Sequence, residues 1–227
     1  MALVDSFNRR IDYLRVSVTD RCNLRCKYCM PEGGITHRPP TELLSFEEIA
    51  QIVRVGVSLG IDKVRLTGGE PLVRKNIVDL VKILSSIRGL NDISMTTNGI
   101  LLRNKVSDLK KAGLKRVNIS LDSLNEERFK DISRGGELKE VTEAIKLSLE
   151  EGLSPLKINV LLLAGINEDE VNDFLRLAKE YPLHVRFMEF MPIRDSEFWD
   201  DGKNFMSCED VMEIASQETL VEPIDVY

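Results

Sequence analysis

The sequence predicts an α/β fold, a partial (βα)6 barrel of the TIM type, and three observations carry that reading. Short runs rich in β-branched residues recur six times, amphipathic helical stretches lie between them, and nearly every strand runs out into a polar or glycine-rich turn. Strands alternating with helices call for a parallel sheet with right-handed crossovers. In a βα barrel the loops after the strands share one rim, where ligands collect. An open doubly wound sheet would instead concentrate binding at its switch point. Six units leave the ring incomplete.

The first strand reads "LRVSVTD" (14–20) and runs into "TDRCNLRCKYCMP". "SFEEIAQIVRVGVSLG" follows, in which Ser45 with Glu48 three residues on forms a capping box and Gly60 a C-terminal cap. "KVRLTG" (63–68) ends in "TGGEP", and the helix "NIVDLVKILSSIRG" behind it stops on glycine. "ISMTTN" (93–98) ends in "TTNG" and "RVNISLD" (116–122) in "SLDS". "ELKEVTEAIKLSLEEG" leads to the fifth strand, "LKINVLLL" (156–163). "EDEVNDFLRLAKEYP", stopped by proline, leads to the sixth, "HVRFMEF" (184–190), which finishes in "EFMP". Residues 1–191 are expected to form the barrel core. Residues 192–227, with Trp199, several acids and one helical piece ("CEDVMEIAS"), break the rhythm and read as an extension.

A chain of 227 residues has room for one large domain. Its net charge of −6 argues against a broad nucleic-acid or anionic-membrane face, though not against a local basic pocket. The longest apolar stretches, such as "VLLLAGI", fall short of the ~20 residues of a membrane helix, and "MALVDSFNRR" has no signal core. A cytoplasmic location is expected, where clustered thiols suggest metal or redox chemistry rather than disulfides.

Cys22, Cys26 and Cys29 stand within eight positions. Structural zinc normally takes four ligands; His37 or Cys208 could add one, but neither sits at zinc-finger spacing. A cubane iron–sulfur cluster can be held by three thiolates, leaving one iron open to a small molecule, whereas ferredoxins use four cysteines per cluster. Both readings stand on spacing alone. With two histidines and no G-x-S-x-G, a hydrolase triad is not supported. His184 reads as a packed or surface histidine.

"CNLRCKYC" and "TGGEP" resemble the radical S-adenosylmethionine (SAM) enzymes. A closer resemblance, carried by "FNRRIDYLRVSVTDRCNLRCKYCMP", "VRLTGGEPLVR", "TTNG", "VNISLDSL" and "RFMEFMP", is to the GTP 3′,8-cyclase family of molybdenum cofactor biosynthesis. The resemblance implies a radical SAM barrel in which Cys22, Cys26 and Cys29 ligate one [4Fe-4S] cluster. Tyr28, Gly69, Ser120 and Met191 would contact SAM; Arg15, Arg65, Thr96 and Lys157 would contact GTP. It implies a radical SAM lyase that cleaves SAM reductively and cyclises GTP to 3′,8-cyclo-7,8-dihydroguanosine 5′-triphosphate. Flavodoxin or ferredoxin would supply electrons, and cyclic pyranopterin monophosphate synthase would take the product. Alternatives are another small-molecule or peptide substrate, or an inactive cluster-binding protein.

Arg15, Arg65 and Lys157 come from three strands and can all face the lumen, where they would repel one another unless an anion neutralised them. A triphosphate meets that need; so would strand carboxylates such as Glu70, Asp122 or Glu189. Met191 reads equally well as core filling, and Gly68 and Gly69 as a plain strand-to-helix turn. The family's cyclases continue into a C-terminal region with a second [4Fe-4S] cluster. This sequence has no such region, so the extension is expected to be truncated, its open side covered by a homodimer or another chain.

Overall fold

The computed structural model describes residues 3–191, 203–218 and 221–222. Six strands, β1 (Tyr13–Ser17), β2 (Lys63–Thr67), β3 (Asp92–Thr97), β4 (Arg116–Ser120), β5 (Leu156–Leu161) and β6 (Leu183–Met188), lie side by side in chain order. The first three pairings are parallel. This is the topology of the expected incomplete barrel. The strands end one to three residues before the predicted runs do, because those last residues already bend into the rim loops.

Register explains the two faces. Side chains alternate along a strand, and on one face Val64, Leu66, Ile93, Met95, Val117 and Ile119 are all buried. On the other, Tyr13, Lys63 and Asp92 align in one row and Arg15, Arg65, Ser94 and Arg116 in the next. Thr96 and Asn118 pair one step nearer the rim. One face builds the core and the other carries the polar chemistry.

The expected helices form as α1 (Phe46–Ser58), α2 (Ile77–Ser85), α5 (Leu138–Glu150), α6 (Val171–Glu180) and α7 (Cys208–Glu218). At the start of α1 the Ser45 side chain accepts from Glu48 N at 3.1 Å and the Glu48 carboxylate accepts from Ser45 N at 2.7 Å. Its end is a Schellman motif: Gly60 N donates to Val57 O and Ile61 N to Gly56 O, both at 3.0 Å. Gly60 supplies the φ of +102° that this needs. Two helices the sequence pattern had not singled out, α3 (Val106–Ala112) and α4 (Glu126–Ser133), are short and rich in charge.

The described residues group into two compact units. One comprises Met1–Asn23, Ile35–Ile119 and Lys139–Leu156; the other Leu24–Gly34, Ser120–Leu138 and Lys157–Tyr227. In the second, Leu162, Val171, Met206 and Val211 form a buried cluster that fastens α7 to α6. Phe174 meets Phe187 edge to face at 6.2 Å. Among the described residues no helix is long and apolar enough to cross a membrane.

Ser45→Ala removes one half of the capping box and leaves the Glu48 N–H without its side-chain acceptor. A loss of about 1 kcal/mol is expected, read as a lower urea midpoint at unchanged slope.

Candidate functional site

The rim of the first unit is built by backbone approach. The chain at 19–21 runs beside 68–70: Gly69 N donates to Thr19 O and Glu70 N to Arg21 O, both at 2.8 Å. A Cβ on Gly68, whose φ is +152°, would collide with the Thr19 carbonyl, and one on Gly69 would sit 2.5 Å from Arg21 O. The glycine pair is therefore required by the strand that leads into the cysteines, which is more than a plain turn asks of it.

Behind the pair, the Glu70 side chain is sealed from solvent, the residue being 1% exposed. Its carboxylate accepts from Leu72 N at 3.0 Å, Thr97 Oγ1 at 2.8 Å and Asn98 N at 2.7 Å. Burial raises its pKa, and the three donors work against that rise. Asn98 Nδ2 in turn donates to Asn23 Oδ1 at 2.9 Å and lies 3.8 Å from Cys22 Sγ.

Cys26 and Cys29 belong to the second unit. Cys29 N and Met30 N both donate to Cys26 O, at 2.9 and 3.0 Å, which folds this part of the loop into a tight turn. The end of α4 holds the turn: Arg25 N donates to Ser133 O, Lys27 N to Ile132 O, and the Arg134 guanidinium to Met30 O at 2.7 Å. Tyr28 OH donates to Asp122 Oδ2 at 2.7 Å, and Asp122 Oδ1 accepts from Leu161 N at 2.9 Å. Burial, with Asp122 and Cys26 alongside, pushes the Tyr28 phenol well above its ordinary value, so it is a neutral donor. Burial also raises the Asp122 pKa, against the pull of the Leu161 and Tyr28 donors.

Cys22 and Cys26 are half-buried and Cys29 is exposed. Among the described residues no three Cys, His, Asp or Glu side chains already converge as a ligand set. The donor chemistry nevertheless fits an iron–sulfur cluster: three thiols on a loop fastened by its own backbone, with an amide N–H beside the first. His37, weighed as a fourth ligand, lies 3.6 Å from Asp20. Cys208 starts α7, its N–H donating to Glu189 at 2.9 Å.

On the polar face of the first unit, Arg15 and Arg65 are register partners. Arg65 Nε donates to Ser94 Oγ at 3.4 Å and its guanidinium lies over the Tyr13 ring at 5.1 Å. Burial first, with Arg116 and Arg15 adding to it, lowers the Arg65 pKa. Among the described residues neither Arg15 nor Arg65 forms an ion pair. The carboxylates considered as their partners are engaged elsewhere: Glu70 by the rim loops, Asp122 by Tyr28 and Leu161, and Glu189 by the Cys208 N–H. Thr96 shares the face and accepts from Asn118 Nδ2 at 3.4 Å.

Lys157, on β5, and Ser120, at the end of β4, are half-buried members of the second unit. Met191 is 81% exposed, so it does not fill a core. His184 is exposed at the start of β6. Two arginines escaped the sequence reading. Arg116 extends the Arg15–Arg65 row and is paired with Asp92, and Arg186 donates to Asn159 Oδ1 through Nε at 3.0 Å and Nη2 at 2.5 Å. Period-two counting along β4 and β6 would have found both.

Residues 16–178 match the family model described as the radical SAM superfamily. The chain belongs to the radical SAM superfamily. Members of that superfamily use a [4Fe-4S] cluster and SAM. Among curated relatives, the GTP 3′,8-cyclase of Desulforamulus reducens is 53% identical over 92% of this chain and 64% of its own length. That of Petrotoga mobilis is 49% identical over 99% of the chain and 69% of its own. The chain thus spans about two thirds of these relatives, slightly less for the first. The fold also resembles that of solved radical SAM structures. SuiB of Streptococcus suis bound to SAM has a TM-score of 0.67 at 16% identity, covering 91% of this chain and 48% of that one. A radical SAM methyltransferase from Sphaerobacter thermophilus has 0.69 at 16%, covering 90% and 62%.

Gly69→Ala in this radical SAM chain should cost about 2–3 kcal/mol, the usual penalty for forcing atoms into a packed site. It should also lower iron bound per chain after reconstitution, measured by metal analysis beside a denaturant curve. A second expectation concerns pH. The folded-state pKa of Asp122 stands above its ordinary value of 3.8, so its contribution to stability is full below that value and is lost as pH rises through the raised one. The stability of the parent relative to Asp122→Asn should therefore fall with rising pH above 3.8, measured by urea unfolding at stepped pH.

Proposed function

We propose that this chain carries the SAM-cleaving and nucleotide-binding core of a GTP 3′,8-cyclase, acting in the first step of molybdenum cofactor biosynthesis. The observation that carries the substrate is the register pair Arg15 and Arg65. Two cations on neighbouring strands, neither in an ion pair among the described residues, favour a polyanion, and Arg forks match phosphate oxygens. The kinship with GTP 3′,8-cyclases supports reading that polyanion as the triphosphate of GTP.

Cys22, Cys26 and Cys29 would hold the [4Fe-4S] cluster. The chemistry such a cluster would supply when bound is the single electron for reductive cleavage of a C–S bond of SAM. The protein binds and orients. Tyr28, its hydroxyl fixed by Asp122, presents a ring rather than a mobile phenol to SAM. Gly69 gives the SAM amino group close access to backbone, and Ser120 and Met191 complete the contact set. Arg15, Arg65, Thr96 and Lys157 hold GTP. In this reading residues 1–191 are the working core and 192–227 an extension. The setting is cytoplasmic, with flavodoxin or ferredoxin as reductant, cyclic pyranopterin monophosphate synthase as the next enzyme, and a homodimer as the assembly.

The test is anaerobic reconstitution followed by dithionite, SAM and GTP. Release of 5′-deoxyadenosine supports the core chemistry, and appearance of the cyclised nucleotide supports the substrate. Arg65→Ala should weaken GTP binding about 10–100-fold, the worth of one charge-assisted hydrogen bond, while iron content stays at the parent level. Unchanged GTP affinity in that variant would remove the assignment of the polar face, and one zinc per chain in place of iron would end the enzymatic reading.

A further inference from the structure

The side chain of Asn98, the first residue beyond β3, points into the cysteine loop and is gripped from both ends. Its main-chain N–H donates to the buried Glu70 carboxylate at 2.7 Å. Its side-chain Oδ1 accepts from Ile100 N at 3.1 Å. The two oxygen and nitrogen ends of an amide look alike, and the hydrogen-bond partners must decide between them. Here Oδ1 is taken by a backbone donor, so the NH2 end has to face the loop. One of its hydrogens goes to Asn23 Oδ1 at 2.9 Å, and the second is directed to Cys22 Sγ at 3.8 Å. Gly99, with φ of +84° and its N–H on Thr97 Oγ1 at 3.0 Å, shapes the turn that allows this grip.

Hydrogen bonds to ligand sulfur are among the levers that set an iron–sulfur cluster's reduction potential. An N–H on a thiolate stabilises the more negative, reduced state more than the oxidised one. We propose that Asn98 is a positioning residue for Cys22, donating an N–H to its sulfur and thereby raising the potential of the cluster that Cys22 ligates. This rests on the cluster reading above. Glu70, through the main chain of Asn98, keeps the amide in place. The carboxylate of the "TGGEP" stretch thus acts on the cluster through a neighbouring loop.

The test uses the reconstituted 227-residue chain. Redox titration followed by the EPR signal of the reduced cluster compares the parent with Asn98→Ala and Asn98→Asp. Loss of the N–H should lower the ratio of reduced to oxidised cluster about tenfold at a given potential, equivalent to about 59 mV for a one-electron couple. Asn98→Asp, which adds a charge, should fall further than Asn98→Ala. Variants that carry parent levels of iron and titrate at the parent potential overturn the proposal. A second measurement needs no variant. In parent protein labelled with 15N-asparagine, pulsed EPR of the reduced cluster should reveal a 15N coupling and an exchangeable proton; their absence overturns the proposal even if both variants lose the cluster. Failure of the underlying reading looks different, since the parent itself would then take up no iron and sulfide.

Discussion

Gly69 N lies 2.8 Å from the Thr19 carbonyl, a distance that only two adjacent residues without side chains permit. Much of the rim follows from this approach. It draws the chain entering the cysteines along the end of β2 and places Glu70 where the β3 loop can close over it. The result is a buried carboxylate surrounded by donors rather than by a counter-charge. Such a group is costly to leave unsatisfied, so its three acceptor contacts act together and resist rearrangement of any one loop. Rigidity at the site thus comes from backbone packing and from one desolvated acid.

The second unit fixes its part of the loop by other means. Carbonyls at the end of α4 take N–H groups from Arg25 and Lys27, and Arg134 returns a guanidinium to Met30 O. Tyr28 is anchored through its hydroxyl by Asp122, which itself is held by Leu161 N. The two carboxylates, Glu70 and Asp122, both sit at strand ends, both are buried, and both have their pKa raised by burial. Each is satisfied by hydrogen-bond donors of its own unit.

Strand order, the two-faced sheet and the Ser45 cap were legible in the sequence because each rests on local pattern, namely period two, helical spacing and a three-residue reciprocal bond. The cysteine trio and the family were legible for the same reason. What remained hidden depends on partners distant in sequence. Gly68 and Gly69 read as a turn because nothing in their own stretch announces Thr19 and Arg21. Asn98 looked like a turn residue, and its engagement with Cys22 follows only from the folded loops. Arg116 and Arg186 were passed over, although counting by twos along β4 and β6 singles out both. Helices α3 and α4 were missed because they are short and their apolar residues are few among charges.

The fastening of the cysteine loop also carries a consequence for biosynthesis. The thiols leave the ribosome early, whereas the residues that hold their backbone come later, first 68–70 and then 132–133. Parallel neighbours joined by helical crossovers can add to the sheet one at a time as the chain emerges. Until α4 has been made, however, the nascent segment holding Cys26 and Cys29 lacks its docking carbonyls. The backbone geometry of that segment is therefore completed only after the first four strands and α4 have been made.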